Sequence, residues 1–155
     1  MLLGLISDTH GLLRPEALAV LQGVDEILHA GDIGAQEILD RLEAIAPATA
    51  VRGNVDTEPW SRELPQTEMI EAEGKILYLL HDLARLDLKP EAASVAAVIY
   101  GHSHQPKIEE KNGVLYVNPG SAGPRRFHLQ ITVGKLEIKE GKVTAEIVNL
   151  LITAK

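Results

Sequence analysis

Three apolar runs of strand length, LLGLIS (2–7), EILHAG (26–31) and ATAVRG (48–53), alternate with two stretches of helical spacing. This order constrains the fold more than any other feature of the chain. In RPEALAVLQ (14–22), Pro15 suits a first helical turn, and Ala17, Leu18 and Leu21 share a face. In AQEILDRLEAIA (35–46), Ile38, Leu39, Leu42 and Ile45 fall at the spacing of an amphipathic helix. A strand–helix–strand–helix–strand order predicts parallel strands joined by right-handed crossovers.

The second half changes character. TEMIEA (67–72) and KILYLLH (75–81) flank Glu73-Gly74, which predicts a hairpin. A helical stretch over Lys89–Ser94 is expected to lead into the strand AAVIYG (96–101). KIEEK (107–111) and VLYVN (114–118) flank Asn112-Gly113, a strong hairpin signal. The tail alternates apolar and polar residues around Glu140-Gly141 and reads as antiparallel strands with a solvated Glu/Lys face. The expectation is a sheet-rich α/β domain over residues 1–155, parallel early and antiparallel late, with two sheets face to face and helices outside.

Bulk properties narrow the function. A length of 155 residues suits one domain with a self-sufficient core. Cysteine is absent, which excludes thiolate metal sites and fits a reducing compartment. The opening MLLGLISDTHG has no basic flank and is too short to span a bilayer, so a soluble, cytoplasmic protein without a membrane partner is expected. A net charge of −7 argues against gripping long nucleic acid by its backbone. One Trp, one Phe and three Tyr leave little material for stacking bases. A small phosphorylated substrate held through metal ions fits, because the ions supply the positive charge that the protein lacks. Nothing in the sequence speaks to oligomeric state.

Five strand-like runs end on polar donors: Asp8 and His10, Asp32, Asn54, His81, and the pair His102 and His104. In open α/β sheets ligands bind at the carboxyl ends of strands, so these side chains are expected on one rim. Carboxylate, amide and imidazole donors suit Mn, Fe, Zn, Co or Ni. The set exceeds what one ion needs and suits two ions sharing a carboxylate. Asp8, His10 and His104 would hold one ion, Asn54, His81 and His102 the other, with Asp32 bridging. His102 and His104 stand at i and i+2, so on an extended loop they would point the same way and serve both ions. His29 reads as a packed strand histidine, His128 as structural or exposed, and Trp60 as a loop anchor. Arg125 follows NPGSAGP (118–124) and is the candidate phosphate contact, since Arg forks match phosphate geometry; a surface turn is the equal alternative for it and for Arg126.

Taken with SDTHG (7–11), HAGD (29–32), RGNVD (52–56), His81, GHSH (101–104) and NPGS (118–121), the chain resembles the calcineurin-like metallophosphoesterases. It is most similar to their small single-domain members, the YfcE-type phosphodiesterases. The resemblance implies a four-layer α/β/β/α sandwich of two mixed sheets with flanking helices, the metallo-dependent phosphatase fold. It also implies a dinuclear metal site on the seven donors above, with manganese foremost among the candidate ions. The implied reaction is hydrolysis of a small phosphoester, a diester in preference to a monoester, by a hydroxide bridging the ions. Asp32 would bridge, and Asn54 would act as a neutral ligand beside the substrate. Asp56 would orient a ligating histidine from behind.

Two departures from the family pattern stand out. Val55 occupies the place of a histidine thought to protonate the leaving group, and Asp82 replaces a glycine that often serves an unusual backbone conformation. Asp82 is also expected to bring another carboxylate towards the ions. The alternatives are a non-catalytic interaction scaffold on the same fold, similar to the retromer subunit Vps29, and a mononuclear iron enzyme. The iron enzyme would need only two histidines and a carboxylate, leaving Asn54 and the other histidines unexplained.

Overall fold

The computed structural model describes residues 1–152. Its first sheet contains β1 (Leu2–Ile6), β2 (Glu26–His29), β3 (Ala48–Ala50), β9 (Thr132–Lys139) and β10 (Lys142–Asn149), in the order β10-β9-β1-β2-β3. The second contains β4 (Thr67–Ala72), β5 (Lys75–Leu80), β6 (Val95–Ile99), β7 (Lys107–Lys111) and β8 (Val114–Asn118), in the order β4-β5-β6-β8-β7. Both sheets are mixed. β1, β2 and β3 run parallel, and the hairpin β9–β10 joins antiparallel to β1. β5, β6 and β8 also run parallel, flanked by antiparallel β4 and β7.

The two-residue period of the strands sorts their side chains into layers. Leu3 and Leu5 of β1 and Leu28 of β2 pack against Leu77 and Leu79 of β5 and Ile99 of β6, forming the layer between the sheets. On the other face of the first sheet, Ile6 and Ile27 meet Ala17 of α1 (Pro15–Val20) and Ile38 and Leu42 of α2 (Gln36–Glu43). On the outer face of the second sheet, Tyr78, Leu80, Val98, Tyr100 and Tyr116 are covered by Leu83, Leu86 and Leu88. The chain is therefore an α/β sandwich whose fourth layer is thin, a 3-10 turn at Leu83–Arg85 and the loop beyond it. Trp60 packs against the helix-side core as a loop anchor.

Two expectations change, and the place of the tail is added. Lys89–Ser94 forms a hydrogen-bonded turn rather than a helix, with Ala93 N donating to Lys89 O and Val95 N to Pro90 O, and Ser94 closes it at φ 61°. β6 begins at Val95, so the chain must turn extended directly after Ser94 and the segment stops at one hydrogen-bonded turn. The parallel strands are not confined to the first half, because β5–β6 and β6–β8 cross over without an α-helix. The tail hairpin returns to the first sheet, placing β9 beside β1.

Candidate metal centre

The donor-bearing loops follow β1, β2 and β3 in one sheet and β5 and β6 in the other, and they meet on one rim. Five donor positions have left-handed backbone: Asp8 (φ 55°), His10 (47°), Asp32 (55°), His102 (75°) and His104 (65°). Each such residue costs about 1–2 kcal/mol relative to ordinary backbone, so the surroundings must hold it. They do so by main-chain bonds between loops. Asp8 N donates to Gly31 O at 3.0 Å, His10 N to Asp32 O at 2.9 Å and Gly101 N to His81 O at 2.9 Å. Two glycines permit the closeness. A Cβ at Gly53 would strike the Asp32 amide nitrogen and carboxylate, and one at Gly101 would strike Ser7 Oγ and Asp8 Oδ2.

Six of the expected donors fall into two groups, Asp8 with His10 and His104, and Asp32 with His81 and His102. In the first, His104 Nε2 lies 3.4 Å from Asp8 Oδ1 and 3.3 Å from His10 Nε2. In the second, His81 Nε2 lies 3.2 Å from Asp32 Oδ2 and 3.3 Å from His102 Nδ1. Asp32 Oδ2 is also 3.7 Å from His10 Nε2, so one oxygen faces both groups. His102 and His104 turn to different groups, but not from an extended loop, since both adopt the left-handed conformation. Asn54 is exposed and shares a cavity wall with His81 and His102.

The donor chemistry fits divalent cations. Asp8 Oδ1 is buried without a hydrogen-bond partner, while Oδ2 accepts from Ser7 Oγ and His102 N. His81 Nδ1 sits 2.8 Å from Ala30 O and must donate to it, which leaves the Nε2 lone pair facing the Asp32 carboxylate. Two acceptors in that arrangement require a proton or a cation between them. Burial pulls the His81 pKa down, yet the hydrogen bond to Asp32, the charges of Asp32 and Asp8 and the bond to Ala30 O together outweigh it, and the net shift is upward. Burial pushes Asp8 and Asp32 up, but their histidine partners, helped by Ser7 at Asp8 and the Val55 amide at Asp32, carry both below the usual carboxylate value. Burial holds His10 below the ordinary histidine value. The carboxylates are thus ready as ligands, and a metal ion would displace the proton from His81.

The family model for the calcineurin-like phosphoesterase superfamily domain matches residues 1–141. The chain belongs to the calcineurin-like phosphoesterase superfamily. A probable metallophosphoesterase of Methanothermobacter thermautotrophicus is 36% identical, covering 96% of this chain and 92% of its own length. Among solved structures, an archaeal phosphodiesterase superposes with a TM-score of 0.80 at 23% identity, covering 96% of this chain and 100% of that one. Wild-type Vps29 of Entamoeba histolytica, complexed with Zn²⁺, gives 0.74 at 25% identity, with 97% and 99% covered.

Other expected residues of this phosphoesterase-family chain lie as follows. Asp56 does not orient a histidine. Its buried carboxylate accepts the amides of Ile33, Gly34 and Gly53 at 2.9–3.1 Å, tying the loop after β2 to the loop after β3. Val55 is exposed, and its amide donates to Asp32 Oδ1. Asp82 has ordinary extended backbone (φ −114°), so it does not replace a left-handed glycine conformation. Its carboxylate caps Ala84 N, and it borders the cavity beside the second group without joining that group. Arg125 is exposed and donates to Leu129 O and Ile152 O, whereas the charge that reaches His10 is that of Arg126. His29 is fully buried, and His128 is exposed in the loop before β9.

Sequence reasoning passed over Arg52 and Arg85. Both line a cavity of about 520 Å³ that opens beside His81 and His102. Arg52 had a signal, since it opens the RGNVD motif. Arg85 had none, because its approach depends on the 3-10 turn after β5.

Proposed function

We propose that this protein is a dinuclear metal-dependent phosphodiesterase acting on a small phosphoester, with manganese as the favoured ion. The observation that carries the reading is the position of Asp32 Oδ2, 3.2 Å from His81 Nε2 and 3.7 Å from His10 Nε2. Asp8, His10 and His104 would hold one ion, and His81, His102 and Asn54 the other, with Asp32 shared. Ions held there would acidify a water molecule and offset the charge that develops on the phosphate oxygens. Asn54 brings a ligand without adding negative charge beside an anionic substrate. Val55 offers no proton to a departing alkoxide, which favours diesters with good leaving groups. The fold likeness to an archaeal phosphodiesterase accords with this reading.

The test is hydrolysis of bis-p-nitrophenyl phosphate by metal-stripped protein, with and without Mn²⁺. Turnover that requires the metal is expected. Asp32→Asn should reduce it by more than about 100-fold, since losing even a partner behind a ligand costs 10–100-fold, with circular dichroism unchanged. Metal bound without turnover would instead favour an interaction scaffold of the Vps29 kind, whose fold this chain shares.

A further inference from the structure

The cavity beside Asp32, His81 and His102 has a volume of about 520 Å³, within the range that holds small-molecule ligands. Arg52 enters it from the loop after β3, and Arg85 from the 3-10 turn after β5. Among the described residues neither guanidinium has an ion-pair partner, although the chain carries 22 acidic residues against 15 basic ones. Asp82 and Asp87 also line the cavity, but among the described residues neither pairs with an arginine, and each accepts a hydrogen bond from another group. Asp82 caps the amide of Ala84, and Asp87 Oδ1 takes the Tyr78 hydroxyl at 3.4 Å. Two planar forks with free donors, on elements from different sheets, converge on the space next to the candidate metal group.

We propose that Arg52 and Arg85 form a subsite for a second phosphate, so that the preferred substrate is a phosphoester carrying another phosphoryl group. This rests on the phosphoesterase reading for the first phosphate. Guanidinium pairs bind phosphate oxygens through charge-assisted, often bidentate hydrogen bonds, and a dianionic group gives each arginine its own oxygens. The subsite sets which ester is chosen, while the metal groups set whether any ester reacts.

The matched ligands are thymidine 3′,5′-bisphosphate and thymidine 5′-monophosphate, which differ by one phosphate. Their affinities for Mn²⁺-loaded protein can be measured by titration calorimetry without turnover. The bisphosphate is expected to bind about tenfold more tightly or better, the effect of one charge-assisted hydrogen bond. In the double variant R52Q/R85Q the gap should fall below about threefold, and in R52K/R85K it should be intermediate. Equal affinities in the wild-type protein overturn the proposal, and so does a gap that survives in a folded double variant. If the glutamine variant does not fold, the wild-type comparison and the lysine variant decide. Hydrolysis of bis-p-nitrophenyl phosphate is scored separately. Bisphosphate preference without turnover keeps the subsite and removes the hydrolase reading, and turnover without preference does the reverse.

Discussion

His29 shows how one side chain makes this fold sensitive to acid. The Thr9 hydroxyl donates to Ile33 O and therefore accepts from His29 Nε2, while Gly31 N donates to His29 Nδ1. The neutral Nε2–H tautomer satisfies both contacts, and a proton on Nδ1 would face an amide hydrogen. Burial lowers the His29 pKa from 6.5 to about 4. The unfolded chain therefore binds a proton first as the pH falls, so this contribution is complete above pH 6.5, declines between 6.5 and about 4, and then levels off. Urea unfolding of metal-free protein at pH 7 and pH 4.5 should show the wild type losing about 2 kcal/mol more than His29→Gln. Parallel losses in the two proteins would contradict the assignment. At this scale the donors were legible because strand ends concentrate polar residues on one rim. Their left-handed backbone was not, since Asp and His carry no mark of it as glycine does. Arg85 escaped notice because an unpaired cation is recognised only when its surroundings are known, whereas Arg52 was marked by its place in the RGNVD motif.

Loops hold the donors in place, and Asp56 is the tie between two of them. It accepts from Ile33, Gly34 and Gly53, so the loop bearing Asp32 and the loop bearing Asn54 move together. Asp56→Ala should lower unfolding stability by about 3 kcal/mol or more, because hydrogen bonds to a charged group are worth roughly 1.5–3 kcal/mol each. It should also weaken Mn²⁺ binding about tenfold or more, as losses behind metal ligands do. Denaturant midpoints and metal titration read the two effects, and a variant with wild-type metal affinity would refute the tie. Three hairpin turns were legible from their glycines: Glu73-Gly74, Asn112-Gly113 and Glu140-Gly141 all have positive φ at both residues, the backbone of a two-residue hairpin turn. The crossovers of the second sheet were not legible, because β5–β6 and β6–β8 lack the helix that announces a parallel pair.

Across the whole molecule, each candidate metal group draws on both sheets. Asp8 and His10 follow a strand of the first sheet and His104 one of the second; Asp32 follows the first and His81 and His102 the second. An ion in either group would therefore fasten one sheet to the other, in addition to the apolar layer of Leu5, Leu28, Leu79 and Ile99. At a free metal concentration 100 times the dissociation constant, one site stabilises the native state by about 2.7 kcal/mol. For a chain of this size that raises the melting temperature by about 5–10 °C. Scanning calorimetry of stripped protein with added Mn²⁺ should show this rise, and a chelator should reverse it. An unchanged melting temperature would mean that no ion binds the native state in preference to the unfolded chain. The two-sheet plan was legible from alternation along the strands, but the return of the tail to β1 was not, since either sheet offered its alternating face a partner.

The left-handed donors also bear on anyone wishing to transplant this centre. Copying Asp8, His10, Asp32, His102 and His104 onto the strand ends of another scaffold would aim most of the side chains wrongly, because an ordinary strand end carries the opposite φ. The portable unit is the interlocked set of loops, with Gly53 and Gly101 at the points of closest approach and Asp56 as the clasp. Transferred without them, the same residues would be an inventory of ligands and not a binding site.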